Sequence, residues 1–199
     1  MNGRVKSPIT GESMGRKLIP SPQIKNLIDG LIQNGSIGGD LATKWKDKFH
    51  GKKRREDAVK LAKQGDIKAM EWVGFHFEYG GDGFEKDIGK ALVWFQNAHD
   101  AGSIFGTAHL GGLLSSGHGG EDHKMKGAML LGIAAGRGSD WAAFHLGMLL
   151  AEGHHGFSVD VEEAKRLLSL ALSDSISHKT LTDEFKDKAR EKLNGLVVI

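Results

Sequence analysis

The residues from Asp66 to Gly102 read DIKAMEWVGFHFEYGGDGFEKDIGKALVWFQNAHDAG, and the segments 103–138 and 139–174 follow the same plan. Gly74, Gly111 and Gly147 stand 37 and 36 positions apart. Gly80, Gly117 and Gly153 keep that spacing, as do Gly83, Gly120 and Gly156, and Gly65, Gly102 and Gly138. Ala91, Ala128 and Ala164 form another series, and Ala98, Ala135 and Ala171 a sixth. Six classes of small residue in one register mark a repeat architecture, and this ranks above any local motif.

Each repeat predicts a helical hairpin. Ala69, Val73 and Phe77 recur at i, i+4 and i+8, and Ala91, Trp94, Phe95 and Ala98 line a second helix. Leu110, Leu113 and Leu114 precede Ala128, Leu131 and Ala135 in the second repeat. In the third, Ala143, Leu146 and Leu150 precede Ala164, Leu167, Leu168 and Ala171. Glycine inside a helix costs about 1 kcal/mol against alanine. Its return at Gly74, Gly111 and Gly147 predicts helix backbones too close for a side chain. The paired loop glycines fit a left-handed helix end and a tight turn. Asp66, Ser103 and Ser139 are placed to cap the following helices.

Working outward, 54–64 reads as a degenerate half-repeat, and 180–193 as a terminal helix with Leu181, Phe185, Ala189 and Leu193 on one side. The chain thus divides into 1–50, which is not repeat-like, the repeats over 51–174, and a capping helix and tail over 175–199. In the first part Ile24, Leu27, Ile28, Leu31 and Ile32 form one apolar stripe, and Leu41, Trp45 and Phe49 suggest a second helix.

The repeats resemble the Sel1-like repeat family. The match runs through Ala69, Val73, Gly74 and Phe77, then Gly83 and Phe84, then Asp87, Lys90, Ala91, Trp94, Phe95 and Ala98. The third repeat matches at Leu146, Gly147, Gly156, Phe157, Asp160 and Ala164. The second departs at Glu121 and at Lys124, which replaces the aspartate. The resemblance implies an all-α protein, a right-handed α-α superhelix of about three hairpins with capping helices. By likeness to the related tetratricopeptide geometry, the concave face would present Lys68, Glu71, Phe75 and Glu78, then Phe105, Ala108 and Ser115, then Trp141, Phe144, Met148 and Glu152. Such a face implies a non-catalytic adaptor that captures a protein or peptide. The alternative reading of Phe105, Trp141 and Phe144 is packing between repeats.

The segment Ser7-Pro8-Ile9-Thr10-Gly11, followed by Leu18-Ile19-Pro20 and the stripe from Ile24, resembles the C-terminal part of a U-box. That resemblance implies a second function: a ubiquitin ligase, or a ligase-associated adaptor, meeting a conjugating enzyme through residues 7–32. The half that would carry the rest of the recruiting surface is not present in the seven residues before Pro8.

Composition bounds the chemistry. The 199 residues contain no cysteine, which excludes thiol nucleophiles and cysteine metal sites. No apolar run nears the roughly 18 residues of a membrane span, and no signal peptide is visible, so a cytoplasmic protein is the default. Glycine is abundant, at 29 residues. The net charge of +2 divides into +8 over 1–65, −7 over 66–174 and +1 over 175–199. A basic head on an acidic body argues against a nucleic-acid surface and prefers a basic partner for the repeats. Lys52, Lys53, Arg54 and Arg55 form a run of the nuclear-import type, or the solvated start of a helix. His118, His154 and His155 lie in equivalent loops without evident carboxylate partners, so no metal is assigned. No cofactor motif and no catalytic constellation is present; His109 and His145 read as packed or groove residues rather than ligands.

Overall fold

The computed structural model describes residues 22–49, 51–153 and 156–197. The chain forms two compact units, Met1–His50 and Gly51–Ile199. In the first, α1 (Pro22–Gln33) and α2 (Gly39–Phe49) are joined by the Trp45 indole, which donates to Asp29 at 2.9 Å. Ala42 is buried there, whereas no residue of α1 is, and Ile24 and Leu27 face solvent.

The second unit is a stack of helices. It comprises α3 (Gly51–Lys63), α4 (Ile67–Tyr79), α5 (Ile88–Asp100), α6 (Ile104–Ser115), α7 (Lys124–Gly136), α8 (Asp140–Glu152), α9 (Val161–Ala171) and α10 (Asp183–Val197). Each helix packs on the next in sequence; α4 also touches α6, α6 touches α8, and α8 touches α10. The three hairpins α4–α5, α6–α7 and α8–α9 therefore stack with their first helices side by side, which is an α-α superhelix. Among the described residues there is no strand, only two isolated bridges.

The boundaries follow from the repeat. Gly65, Gly102 and Gly138 hold φ of 96°, 88° and 90°, a left-handed conformation that favours glycine. Asp66, Ser103 and Ser139 then accept from the backbone N–H groups of Ala69, Gly106 and Ala142, the orphan donors of each new helix. Asp87 and Asp160 cap α5 and α9 in the same way. Lys124 stands at the equivalent position of the middle hairpin and cannot accept. There α7 begins instead from a 3₁₀ turn, Glu121–His123, without a side-chain cap.

The helix glycines sit where the helices touch. A Cβ on Gly74 would lie 2.7 Å from the Phe95 ring, and one on Gly147 would lie 2.9 Å from Leu168 Cγ. On Gly111 it would meet backbone, the Gly127 carbonyl and the Leu131 nitrogen, each at 2.9 Å. Phe95, Leu131, Leu167 and Leu168 are thereby almost wholly buried. Burying such side chains stabilises by roughly 1.5–3 kcal/mol each.

Candidate protein-interaction face

The face built from α4, α6 and α8 is held together from beneath by polar joints between hairpins. The Ser103 hydroxyl donates to Glu71 at 2.7 Å, and Lys68 reaches the same carboxylate at 2.8 Å. His109 Nδ1 donates to Glu78 at 2.8 Å in a buried pair. Each joint links one first helix to the next and gives a buried carboxylate the partner it requires. The Tyr79 phenol, half exposed, is pushed up by partial desolvation, then by the charge of Glu78 and a hydrogen bond to it.

Over these joints runs a ladder of rings. Phe75 lies 4.7 Å from Tyr79 and 6.5 Å from Phe105 between centroids. Phe105 lies 4.2 Å from His109, which stacks on Trp141 at 4.4 Å and 20°. Trp141 lies 3.7 Å from His145, and His145 and Phe144 both reach Phe185 of α10. Room for the Trp141 indole comes from Gly112, where a Cβ would fall 2.5 Å from the ring. His145 sits deep in this ladder, with its Nε2 buried and without a hydrogen-bond partner. Burial, and then the neighbouring His109, push its pKa down to about 4, so the ring is neutral at pH 7.

The expected face divides in two. Lys68, Phe75, Phe105, Trp141, Met148 and Glu152 keep solvent access, Phe75 at 39% exposure. Glu71, Glu78, Ala108, Ser115 and Phe144 do not; against the expectation of a solvent-facing groove, they are buried in the stack. The reason differs by residue. The two glutamates find acceptor roles across the hairpin junction, Ser115 bonds the Gly112 carbonyl, and Ala108 and Phe144 fill the core shared with α10. Glu152 is tied to Lys192 of α10 at 2.6 Å.

Two residues were not anticipated. Tyr79, 54% exposed, continues the aromatic row; it stands at the repeat position of Glu152, and that equivalence could have found it. Asp140, almost wholly buried, accepts from the backbone of Thr180 and Leu181, each at 2.9 Å, and from the Thr180 hydroxyl at 3.1 Å. It anchors the segment leading into α10. Its signal was an acid where Ile67 and Ile104 stand in the other repeats.

The basic run lies in the first turn of α3. Arg54 pairs with Asp82 at 3.1 Å and Arg55 donates to the Gly83 carbonyl, so both hold the loop of the first hairpin, while Lys53 is exposed. The side chain of Lys52 lies outside the described residues, as do His154 and His155. Of the segment resembling a U-box, 7–21 lies outside the described residues, and the remainder falls in α1.

Comparison with known proteins rests on structure. No family model matches the chain, and no curated protein matches it. Among solved structures, it is similar to a Sel1 repeat protein from Oxalobacter formigenes, at 22% identity and a TM-score of 0.48. That match covers 68% of this chain and 96% of the other. It is also similar to a protective antigen of uropathogenic Escherichia coli displaying an SLR fold, at 16% identity and a TM-score of 0.51. Here 88% of this chain matches 45% of the other, so this chain spans less than half the length of that relative. The class defined is therefore one of fold: an all-helical solenoid of the Sel1-like repeat type.

Proposed function

We propose that the protein is a non-catalytic protein–protein interaction adaptor, binding a peptide segment of its partner on the face formed by α4, α6 and α8. The observation that carries this reading is the row of solvent-accessible rings, Phe75, Tyr79, Phe105 and Trp141, seated on buried hydrogen bonds. Rings held in place before the partner arrives lose little entropy on binding, and aromatic anchors supply most of the energy of small interfaces. The acidic balance of 66–174 favours a basic partner.

The test is a peptide library displayed on phage and panned on the full chain, with the selected peptides then titrated by fluorescence anisotropy. Basic peptides with apolar anchors are expected. Phe75→Ala and Tyr79→Ala, both at exposed positions, should each weaken binding about tenfold while circular dichroism shows an unchanged fold. Selected peptides that bind both variants as tightly as the parent would refute this face.

A further inference from the structure

Helix α7 presents a second, unrelated surface. After Lys126 it runs through Gly136 without a charge, and a helix apolar on all sides is ordinarily buried on all sides. Leu130, Leu131, Ala134 and Ala135 are buried. Yet Met125, Met129 and Ile133 are 61%, 64% and 49% exposed, and Gly132 and Gly136 are exposed beside them. At 3.6 residues per turn these five share one face.

The cause lies within the hairpin. Gly127 faces the Ser115 nitrogen and the Gly111 carbonyl so closely that no side chain would fit, and α7 meets α6 backbone to backbone. Phe95 and Leu168 occupy the core position that Gly132 holds in the repeat register; Gly132 lies at the surface. The outward residues of the neighbouring second helices are mostly polar, Lys90, Asn97 and Asp100 with the single apolar Val93 on α5, and Glu162 and Arg166 on α9. The apolar face thus belongs to the middle hairpin.

We infer that this face binds an amphipathic helix of a partner protein that carries carboxylates at the edges of its apolar stripe. Met125, Met129 and Ile133 form a seam at i, i+4 and i+8, and thioethers adapt to what they meet. A Cβ on Gly136 would meet nothing within 4 Å, and one on Gly132 only Leu146 at 3.8 Å, so a second backbone can approach closely. Beside the seam a pocket of 330 Å³ between α5 and α7 is lined by Leu92, Val93, Leu110 and Leu114. Lys126 and His123 line it too, and no carboxylate does.

Charge selects the occupant. Lys126 is exposed and in no ion pair among the described residues, the neighbouring Glu121 being held by Lys124, and at the other end Arg137 is exposed with its guanidinium on the Gly102 carbonyl. With their uncharged stretches paired, a second copy of α7 would set Lys126 against Lys126 or against Arg137. A helix edged with carboxylates complements both ends.

The experiment uses the full chain with its methionine methyl groups labelled for NMR. Two synthetic helical peptides share one leucine stripe; one is flanked by glutamates, the other by lysines. The glutamate-flanked peptide should bind at least tenfold tighter, move the Met125 and Met129 signals and leave Met148 in place. Met129→Lys should weaken it tenfold or more at unchanged helicity, Lys126→Glu should narrow the gap between the peptides, and Phe75→Ala should change nothing. Equal binding of the two peptides overturns the inference, as do stationary Met125 and Met129 signals. So does a dimer, seen by ultracentrifugation, that Met129→Lys dissolves.

Discussion

The middle hairpin offers a test in which one chemical change has opposite signs at two sites of one helix. Gly127 and Gly132 both lie in α7, and each replacement by alanine gains roughly 1 kcal/mol of helix propensity. At Gly132 the new methyl meets only Leu146, at an ordinary 3.8 Å. Nothing offsets the gain, and Gly132→Ala should stabilise by about 1 kcal/mol. At Gly127 the methyl would overlap the Ser115 nitrogen and lie 2.7 Å from the Gly111 carbonyl. Those obstacles are backbone, so the helices must part. Overpacking costs about 1–3 kcal/mol, and rigid obstacles place this case at or above the upper end. After the propensity gain, Gly127→Ala should destabilise by about 2 kcal/mol. For a chain of this length 1 kcal/mol shifts the midpoint by about 2–4 °C. Thermal unfolding followed by circular dichroism should therefore show Gly132→Ala up by about 2–4 °C and Gly127→Ala down by about 4–8 °C. If both variants shift upward together, α6 and α7 do not touch as described, and the explanation of the repeating helix glycines falls with that contact.

Asp140→Ala strips the Thr180 and Leu181 amides of a buried carboxylate, and unsatisfied donors cost about 1–3 kcal/mol each. With Leu181 buried and Thr180 open to solvent, a loss on the order of 2–3 kcal/mol is expected, with hydrogen-exchange protection at Leu181 collapsing; protection that survives intact would show that Asp140 is not the anchor. His145 supplies an acid sensitivity with a defined sign. Its folded pKa of about 4 lies below the ordinary value of 6.5, so the unfolded chain binds the proton first and stability falls as pH drops from 6.5 towards 4. By pH 4 the loss from this ring should reach on the order of 2–3 kcal/mol, and His145→Phe should flatten that part of a denaturation profile; an identical profile would place the sensitivity elsewhere.

The solenoid was legible because its cause repeats. Close helix contact demands glycine at Gly74, Gly111 and Gly147, and unit boundaries demand glycine at Gly65, Gly102 and Gly138, so one physical requirement prints itself three times. Lys124 shows the same logic by failing it: where the capping aspartate is absent, the helix start changes to a 3₁₀ turn. The expected face was only half legible, because a helix packed on both flanks buries polar residues whenever the next hairpin satisfies them. Glu71 and Glu78 look like solvated groove acids until Ser103 and His109 are placed opposite. Yet those joints share an offset, 32 and 31 residues, just short of the repeat period. His109 and Trp141 meet at the same offset of 32, and Phe75 and Phe105 at 30. A first-helix acid with a complementary group about 31 positions later is thus a joint. Asp140 marks where the rule changes, since the helix that follows the last hairpin is α10, and the Asp140 carboxylate turns to the backbone of Thr180 and Leu181 that leads into it.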